Sequence, residues 1–252
     1  MQLIDLQKIK ISCESCNLAE LCLPRGLNKE ELADLDKIVR QSRPLQKGEH
    51  LFRSDDPLSS LYTVRSGSIK LFTYSDDGDE QIIGFYLPGE IVGLDGVENN
   101  SHCCSAVALE TSSLCTFPYT QLSDVCKKVP ALQNQMFRLM GREISYENKL
   151  LLTISRKSAE ERIATFLNSL SSRFKELGFS ADEFKLSMSR QEIGNYLGLT
   201  IETVSRIFSR FQKKKYIAID RKHIQILDRS SINNMCTGKT DNSGQSNSKA
   251  CS

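Results

Sequence analysis

Residues 187–215, SMSRQEIGNYLGLTIETVSRIFSRFQKKK, constrain the fold more than any other stretch of this 252-residue chain. Ser189, followed three residues later by Glu192, is a capping box that starts a helix. Gly198 ends that helix, and Thr200 caps the next. Counting Arg190 as the first position, apolar residues occupy the fourth, eighth, tenth, fifteenth and eighteenth: Ile193, Leu197, Leu199, Val204 and Ile207. Gly194 stands where two helices must cross closely, and Gly198 in the turn between them. The pattern predicts a helix-turn-helix. On its second helix, Val204, Ile207, Phe208 and Phe211 are expected to face inward. Glu202, Ser205, Arg206 and Ser209 share the outer face at i, i+3, i+4 and i+7. An Arg here can bond guanine bidentately, and a Glu one turn earlier can accept from cytosine. Glu202, Ser205 and Arg206 are therefore the candidates for base readout in DNA, and Thr200, Thr203 and Ser209 for backbone contacts. Two short strands at 216–219 and 223–227 are predicted to form a wing.

Charge follows the same division. The net charge is only +2, but residues 184–222 carry +6, which leaves −4 on the remainder. A basic block joined to a mildly acidic body suits a polyanion-binding module attached to something else. From about Pro44 to Pro118 that other part has a different texture. Short β-rich runs (HLF, LYTVRSG, SIKLFTY, EQIIGFYL, EIVGL, SAVALE, SSLCTFP) alternate with turn signals at Gly48, 55–57, Gly67, 77–78 and 88–89. Many short strands with regular turns predict an antiparallel barrel or jelly roll. A short helix over 28–40, capped by Asn28, precedes it.

Between the two parts lies a long helical pattern. Phe137, Met140, Ile144, Glu147, Leu151 and Ile154 alternate at spacings of three and four, an a/d seam over nearly three heptads. Such a face can pack on its own domain or pair with a second copy. In a parallel pair Glu147 would meet its own copy, and two carboxylates so placed repel and must desolvate. A further amphipathic helix follows over 158–177, ended by Gly178. The polar stretch after Ser230 is expected to be disordered.

Three cysteines crowd the amino-terminal segment CESCNLAELC. Cys13, Cys16 and Cys22 form C-x2-C-x5-C, three ligands for one tetrahedral or cubane centre, with a fourth to come from elsewhere. The chain has nine cysteines, irregularly spaced. No secretory signal or membrane-length apolar run is seen, so a cytoplasmic location is expected and a disulfide framework is not. Spacing alone leaves an iron–sulfur centre, zinc or free thiols open. A thioredoxin-type site would need a βαβ context that is absent. Without a bound centre, residues 1–26 are expected to be poorly fixed. Cys103, Cys104 and Cys126 read as bystander thiols, and nothing is assigned to Cys236 or Cys251. His50, His102 and His223 show no ligand spacing, and SDDGDE at 75–80 reads as a hairpin turn first and a polymerase contact second.

The order of parts resembles the Crp–Fnr superfamily: an α+β chain with an N-terminal β-roll (a jelly roll like cyclic-nucleotide-binding domains), a long dimerisation helix and a C-terminal winged helix-turn-helix. Three motifs resemble its oxygen-sensing Fnr proteins. They are C-x2-C-x5-C at Cys13, Cys16 and Cys22, the stretch LETSSLCTFP with Cys115 at the family's fourth ligand, and E-x-x-S-R at Glu202, Ser205 and Arg206. The similarity runs from about residue 13 to about 228. The domains it implies are a cluster-binding segment (1–26), a β-roll (27–130), a dimerisation helix (131–157), a winged helix-turn-helix (158–230) and a tail (231–252). It also implies a [4Fe–4S] cluster on the four cysteines, converted by O2 to [2Fe–2S] or lost. The loaded homodimer would bind inverted repeats of TTGAT-type half-sites and act on anaerobic genes through RNA polymerase. Leu21 and Leu23, flanking Cys22, could shield such a cluster.

Other readings remain at this stage. Cyclic AMP is not expected, because IVGLDGVENNSHCCSA has Leu94 and Cys104 where the superfamily's nucleotide pocket resembles a Glu and an Arg, and no basic residue lies there to meet a phosphate. An enzyme is not expected either, since no nucleophile–base constellation appears. A regulator with a structural zinc site and another input, or an iron–sulfur redox protein, would share the cysteine motif.

Overall fold

The computed structural model describes residues 12–237, in two compact units divided between Asn148 and Lys149. The first unit holds eight strands, in which apolar side chains alternate toward a shared interior. They are β1 (Arg40–Gln41), β2 (His50–Phe52), β3 (Ser60–Ser66), β4 (Ile69–Tyr74), β5 (Glu80–Tyr86), β6 (Ile91–Val92), β7 (Ser105–Ala108) and β8 (Ser113–Pro118). They form two antiparallel four-stranded sheets, ordered β1-β8-β3-β6 and β2-β7-β4-β5. Phe52, Ile69, Leu71 and Ala106 from one sheet meet Val64, Val92 and Leu114 from the other, and this is the β-roll core. The 75–80 loop closes the β4–β5 hairpin, with Gly78 N–H donating to the Ser75 carbonyl and Ser75 N–H to that of Asp79.

Three helices flank the roll: α1 (Lys29–Ile38), α2 (Tyr119–Lys128) and, up to Asn148, α3 (Pro130–Arg156). Asn28 opens α1 by accepting from Glu30 N–H and Glu31 N–H, while the Glu31 carboxylate accepts from Asn28 N–H. A second core joins these helices to the β1-β8-β3-β6 sheet, through Leu35, Ile38, Leu61, Phe117, Leu122, Leu132 and Leu139.

The second unit contains α4 (Ala159–Glu176), β9 (Glu183–Lys185), α5 (Arg190–Leu197), α6 (Ile201–Lys213), β10 (Ile217–Asp220), β11 (His223–Ile226) and α7 (Arg229–Cys236). The architecture is the expected one, a β-roll followed by a long helix and a winged helix-turn-helix. Three particulars differ. The wing gains a third strand, β9, giving the order β10-β11-β9. The tail expected to be disordered from residue 231 begins as helix α7, because Asp228 caps it by accepting from Ser231 N–H and Ile232 buries its side chain. Lys157 Nζ also donates to the Cys236 carbonyl at 2.9 Å. The rest of that tail and residues 1–11 lie outside the described residues. Lastly, residues 12–27 are fixed by their own chain: Leu23 and Cys22 are buried, and Ser12 and Cys13 bond Asp36. No helix among the described residues is long and apolar enough to cross a membrane.

Candidate metal centre and nucleic-acid interface

Residues 12–27 fold back over the first unit's second core. A single 3-10 turn (Ala19–Leu21) between Cys16 and Cys22 is short enough to bring both back toward the sheet. Cys13 N–H donates to Asp36 Oδ1 at 2.8 Å, and Ser12 Oγ donates to Asp36 Oδ2 at 2.9 Å, which ties the segment to α1. Cys22 Sγ donates to Thr63 Oγ1 at 3.5 Å on β3. Thr63 pairs in register with Cys115 on β8. The sheet therefore sets the fourth cysteine beside the third, although they are 93 positions apart in the chain. Cys13, Cys22 and Cys115 are all buried in this core, while Cys16 is half-buried and outside it.

The buried thiols are shifted mainly by burial and, more weakly, by neighbouring groups that include one another. Burial pushes the Cys13 thiol far up, helped by the Asp36 hydrogen bond and charge, with Cys22 and Cys115 adding further. Burial raises Cys22 to about 12, opposed by its Thr63 bond and reinforced by Cys115 and Cys16. Cys115 is raised by burial and then by Cys16. Each of these thiols thus senses at least one other. As donors they suit a cation that displaces their protons, because four soft sulfur ligands match zinc or an iron–sulfur cluster and not a hard ion. Leu23 is fully buried and Leu21 lies against Gly89. Cys126 is partly buried on α2, and Cys236 on α7.

The pattern did not reveal what fastens this segment to α3. Gln135 Nε2, buried on α3, donates to the Cys22 carbonyl at 2.9 Å. Gln135 shares the inner face of α3 with Leu132 and Leu139, which pack on the cysteine core. The opposite face carries the a/d residues. Phe137, Ile144 and Leu151 are 62, 58 and 66% exposed, Glu147 is exposed, and Met140 and Ile154 are half-buried. A Gln among leucines gives no sequence signal, but its spacing of four from Leu139 puts it on the buried stripe.

The helix-turn-helix is built as its sequence dictates. Ser189 accepts from Glu192 N–H, the Glu192 carboxylate accepts from Ser189 N–H, and Gly198 takes a left-handed conformation at φ 63°. Gly194 permits the crossing, since a Cβ there would meet the Leu199 carbonyl oxygen at 2.6 Å. Thr200 caps α6 by accepting from Thr203 N–H at 3.3 Å. Val204, Ile207, Phe208 and Phe211 are buried, while Glu202, Ser205, Arg206 and Ser209 are exposed on one face. The Thr200 hydroxyl donates to Thr203 Oγ1, and that of Ser209 to the Ser205 carbonyl. Arg190 lies over the Phe208 ring, 3.5 Å from its centroid, and so braces α5 against α6.

Comparison with known proteins agrees in both units. Residues 42–129 match the cyclic nucleotide-binding domain family and residues 161–235 the Crp-like helix-turn-helix domain family. The transcriptional activator protein Anr of Pseudomonas protegens is 54% identical over 216 residues, 86% of this chain and 88% of that protein. The fumarate and nitrate reduction regulatory protein of Escherichia coli is 47% identical over 222 residues, 88% of this chain and 89% of that one. Among solved structures, FixK2 of Bradyrhizobium japonicum superposes with a TM-score of 0.72 at 28% identity, over 79% of this chain and 97% of its own. With identity this high over most of its length, and both domain families matched in order, the chain belongs to the Fnr-type branch of the Crp–Fnr regulators and is a DNA-binding transcription regulator, not an enzyme.

Proposed function

We propose that this regulator senses oxygen through a [4Fe–4S] cluster held by Cys13, Cys16, Cys22 and Cys115, and that the cluster governs dimerisation along α3. The observation that carries this reading is that Cys13, Cys22 and Cys115 share one core, with Cys16 on the same short segment, and that Gln135 of α3 bonds the Cys22 carbonyl. Membership of the Fnr-type branch favours a cluster over zinc at these cysteines. When bound, such a cluster supplies an oxygen-labile cross-link between the amino-terminal segment and β8.

The chain's own residues would do the rest. With residues 13–22 pinned to Cys115, the Cys22 carbonyl stays on Gln135 and Leu23 stays in its pocket, which fixes the inner face of α3. The outer face then presents Phe137, Met140, Ile144, Leu151 and Ile154 to a second copy. Glu147 opposes that pairing and makes it conditional. Two protomers set two α6 helices into successive major grooves of an inverted TTGAT-type repeat, where Arg206, Ser205 and Glu202 read bases and Thr200, Thr203 and Ser209 contact the backbone. Transcription would be altered through contact with RNA polymerase, and cyclic AMP would have no part. The names of the relatives, activators and a fumarate and nitrate reduction regulator, support an anaerobic programme.

The deciding experiment is anaerobic purification with iron, sulfide and zinc assays, then admission of air. About four irons and four sulfides per chain, with bleaching and loss of dimers in air, is expected. A colourless protein holding one zinc and indifferent to air would overturn the reading. Cys22→Ser and Cys115→Ser should each lose both cluster absorbance and specific DNA binding. A variant that keeps full absorbance would remove that residue from the ligand set.

A further inference from the structure

A second group of sulfur and oxygen donors lies at the edge of the β-roll, in other segments of the chain than the four cysteines above. The 3-10 turn Leu94–Gly96 sets Asp95 against the loop that leads into β7. There Cys103 N–H donates to Asp95 Oδ2 at 3.0 Å, and Cys104 Sγ donates to the same oxygen at 3.3 Å. A carboxylate oxygen, Cys103 Sγ and Cys104 Sγ all lie within 4.8 Å of one another. Cys104 is buried and Cys103 is exposed, so one side of the group opens to solvent. His102 holds the carboxylate, with Nδ1 3.3 Å from both oxygens. A carboxylate only accepts, so that nitrogen carries the proton. The His102 ring is itself fixed, stacked on Phe52 at 3.6 Å between centroids and 2% exposed.

The geometry points to a binding site for a thiophilic divalent cation of the zinc type, with Asp95, Cys103 and Cys104 as ligands, His102 as the residue that positions Asp95, and the solvent side as the fourth coordination position. The donor set excludes the hard ions, which take oxygen alone. Two sulfurs and one oxygen suit zinc, whose bonds of about 2.0–2.3 Å need the atoms to close in by at most about 1 Å. Charge also balances. Before binding, the group is one carboxylate and two neutral thiols. On binding, each thiol loses one proton to solvent and the dication takes their place, so the net charge of this half-buried group is unchanged. Zinc is not oxidised or reduced, and the only bonds formed are to the three ligands and one water. A histidine bonded to a ligating carboxylate is the outer-shell arrangement that fixes a ligand's orientation. The inference is independent of the cluster proposed above, because none of its residues belongs to that site.

The test reads Cys103 directly. Full-length protein, reduced and kept anaerobic, is alkylated with iodoacetamide with and without added zinc chloride, and the peptide containing Cys103 is quantified by mass spectrometry. Zinc should slow alkylation of Cys103 at least tenfold. Asp95→Asn should shift the protecting zinc concentration upward by at least tenfold, with circular dichroism showing the fold intact. Cobalt supplies a second reading: wild type should take one more equivalent with a thiolate charge-transfer band than C103S/C104S, whose four remaining motif cysteines are untouched. Unchanged alkylation of Cys103 in zinc overturns the proposal. So does equal cobalt uptake by wild type and the double variant, or conversion of the two thiols to a disulfide without metal uptake.

Discussion

Leu23 anchors the amino-terminal segment. It is fully buried between α1, α3 and the sheet, one residue from Cys22. Leu23→Ala should cost about 2–5 kcal/mol in anaerobic denaturant unfolding. It should also accelerate cluster loss in air, because the backbone at Cys22 loses its packing. A Leu23→Met variant, nearly equal in volume, should restore both. Gly194 is the corresponding point in the second unit. A methyl there would strike the Leu199 carbonyl, so Gly194→Ala should cost about 1–3 kcal/mol, read from the midpoint of urea unfolding, and weaken binding to all DNA alike. Gly194 and the Asp95–Cys103–Cys104 group differ in how plainly the sequence shows them. Gly194 sits at a fixed position in a helix-turn-helix and can be read from its spacing. The Asp95–Cys103–Cys104 group cannot, because a short 3-10 turn, not a spacing rule, brings residues eight and nine positions apart together. His102 gives no sequence signal for the same reason: its partner is a carboxylate seven residues back, across a loop.

At the scale of elements, the long helix was legible as a helix because its apolar residues recur over many turns, and its two faces follow from that repeat. The structure adds which face is covered. Leu132, Gln135 and Leu139 are buried while Phe137, Ile144 and Leu151 stand in solvent. Replacing Glu147 with Ala turns a repelling pair at the proposed seam into an apolar one. The variant should sediment as a dimer in air to a greater extent than wild type; an unchanged monomer fraction would put the seam in a different register. The short elements were not legible. Strand β9 has only three residues, too few for alternation to register, and α7 is held by Ile232 and one Asp cap within a polar run that reads as a tail. Helix α4 makes a pH dependence. Ser158 and the Glu161 carboxylate form its capping box, and hydrogen bonds from Ser158 hold the Glu161 pKa below the ordinary carboxylate value. A depressed folded-state pKa means this stabilisation is complete above the unfolded value of about 4.3 and is lost as pH falls through the lower folded value. Acid titration of unfolding should show that loss in wild type and a shallower slope in Glu161→Gln.

For the whole molecule, the proposed division of labour assigns chemistry to the first unit and base reading to the second. Arg206→Ala should weaken specific binding by roughly 1–3 kcal/mol and leave non-specific binding nearly intact, measured by titration with matched and scrambled duplexes at one salt concentration. A uniform loss on both duplexes would make Arg206 a phosphate contact. The exposed stripe on α3 has a consequence for the cell. If this face pairs as proposed, it obeys mass action, and the paired fraction would depend on how many copies are present as well as on how firmly Cys22 and Gln135 hold the inner side. Abundance and signal then trade against each other. A cell that makes more of this protein should keep its target sites filled at oxygen levels that empty them in a cell that makes less, and the set point of the response would be written partly in the strength of its own promoter.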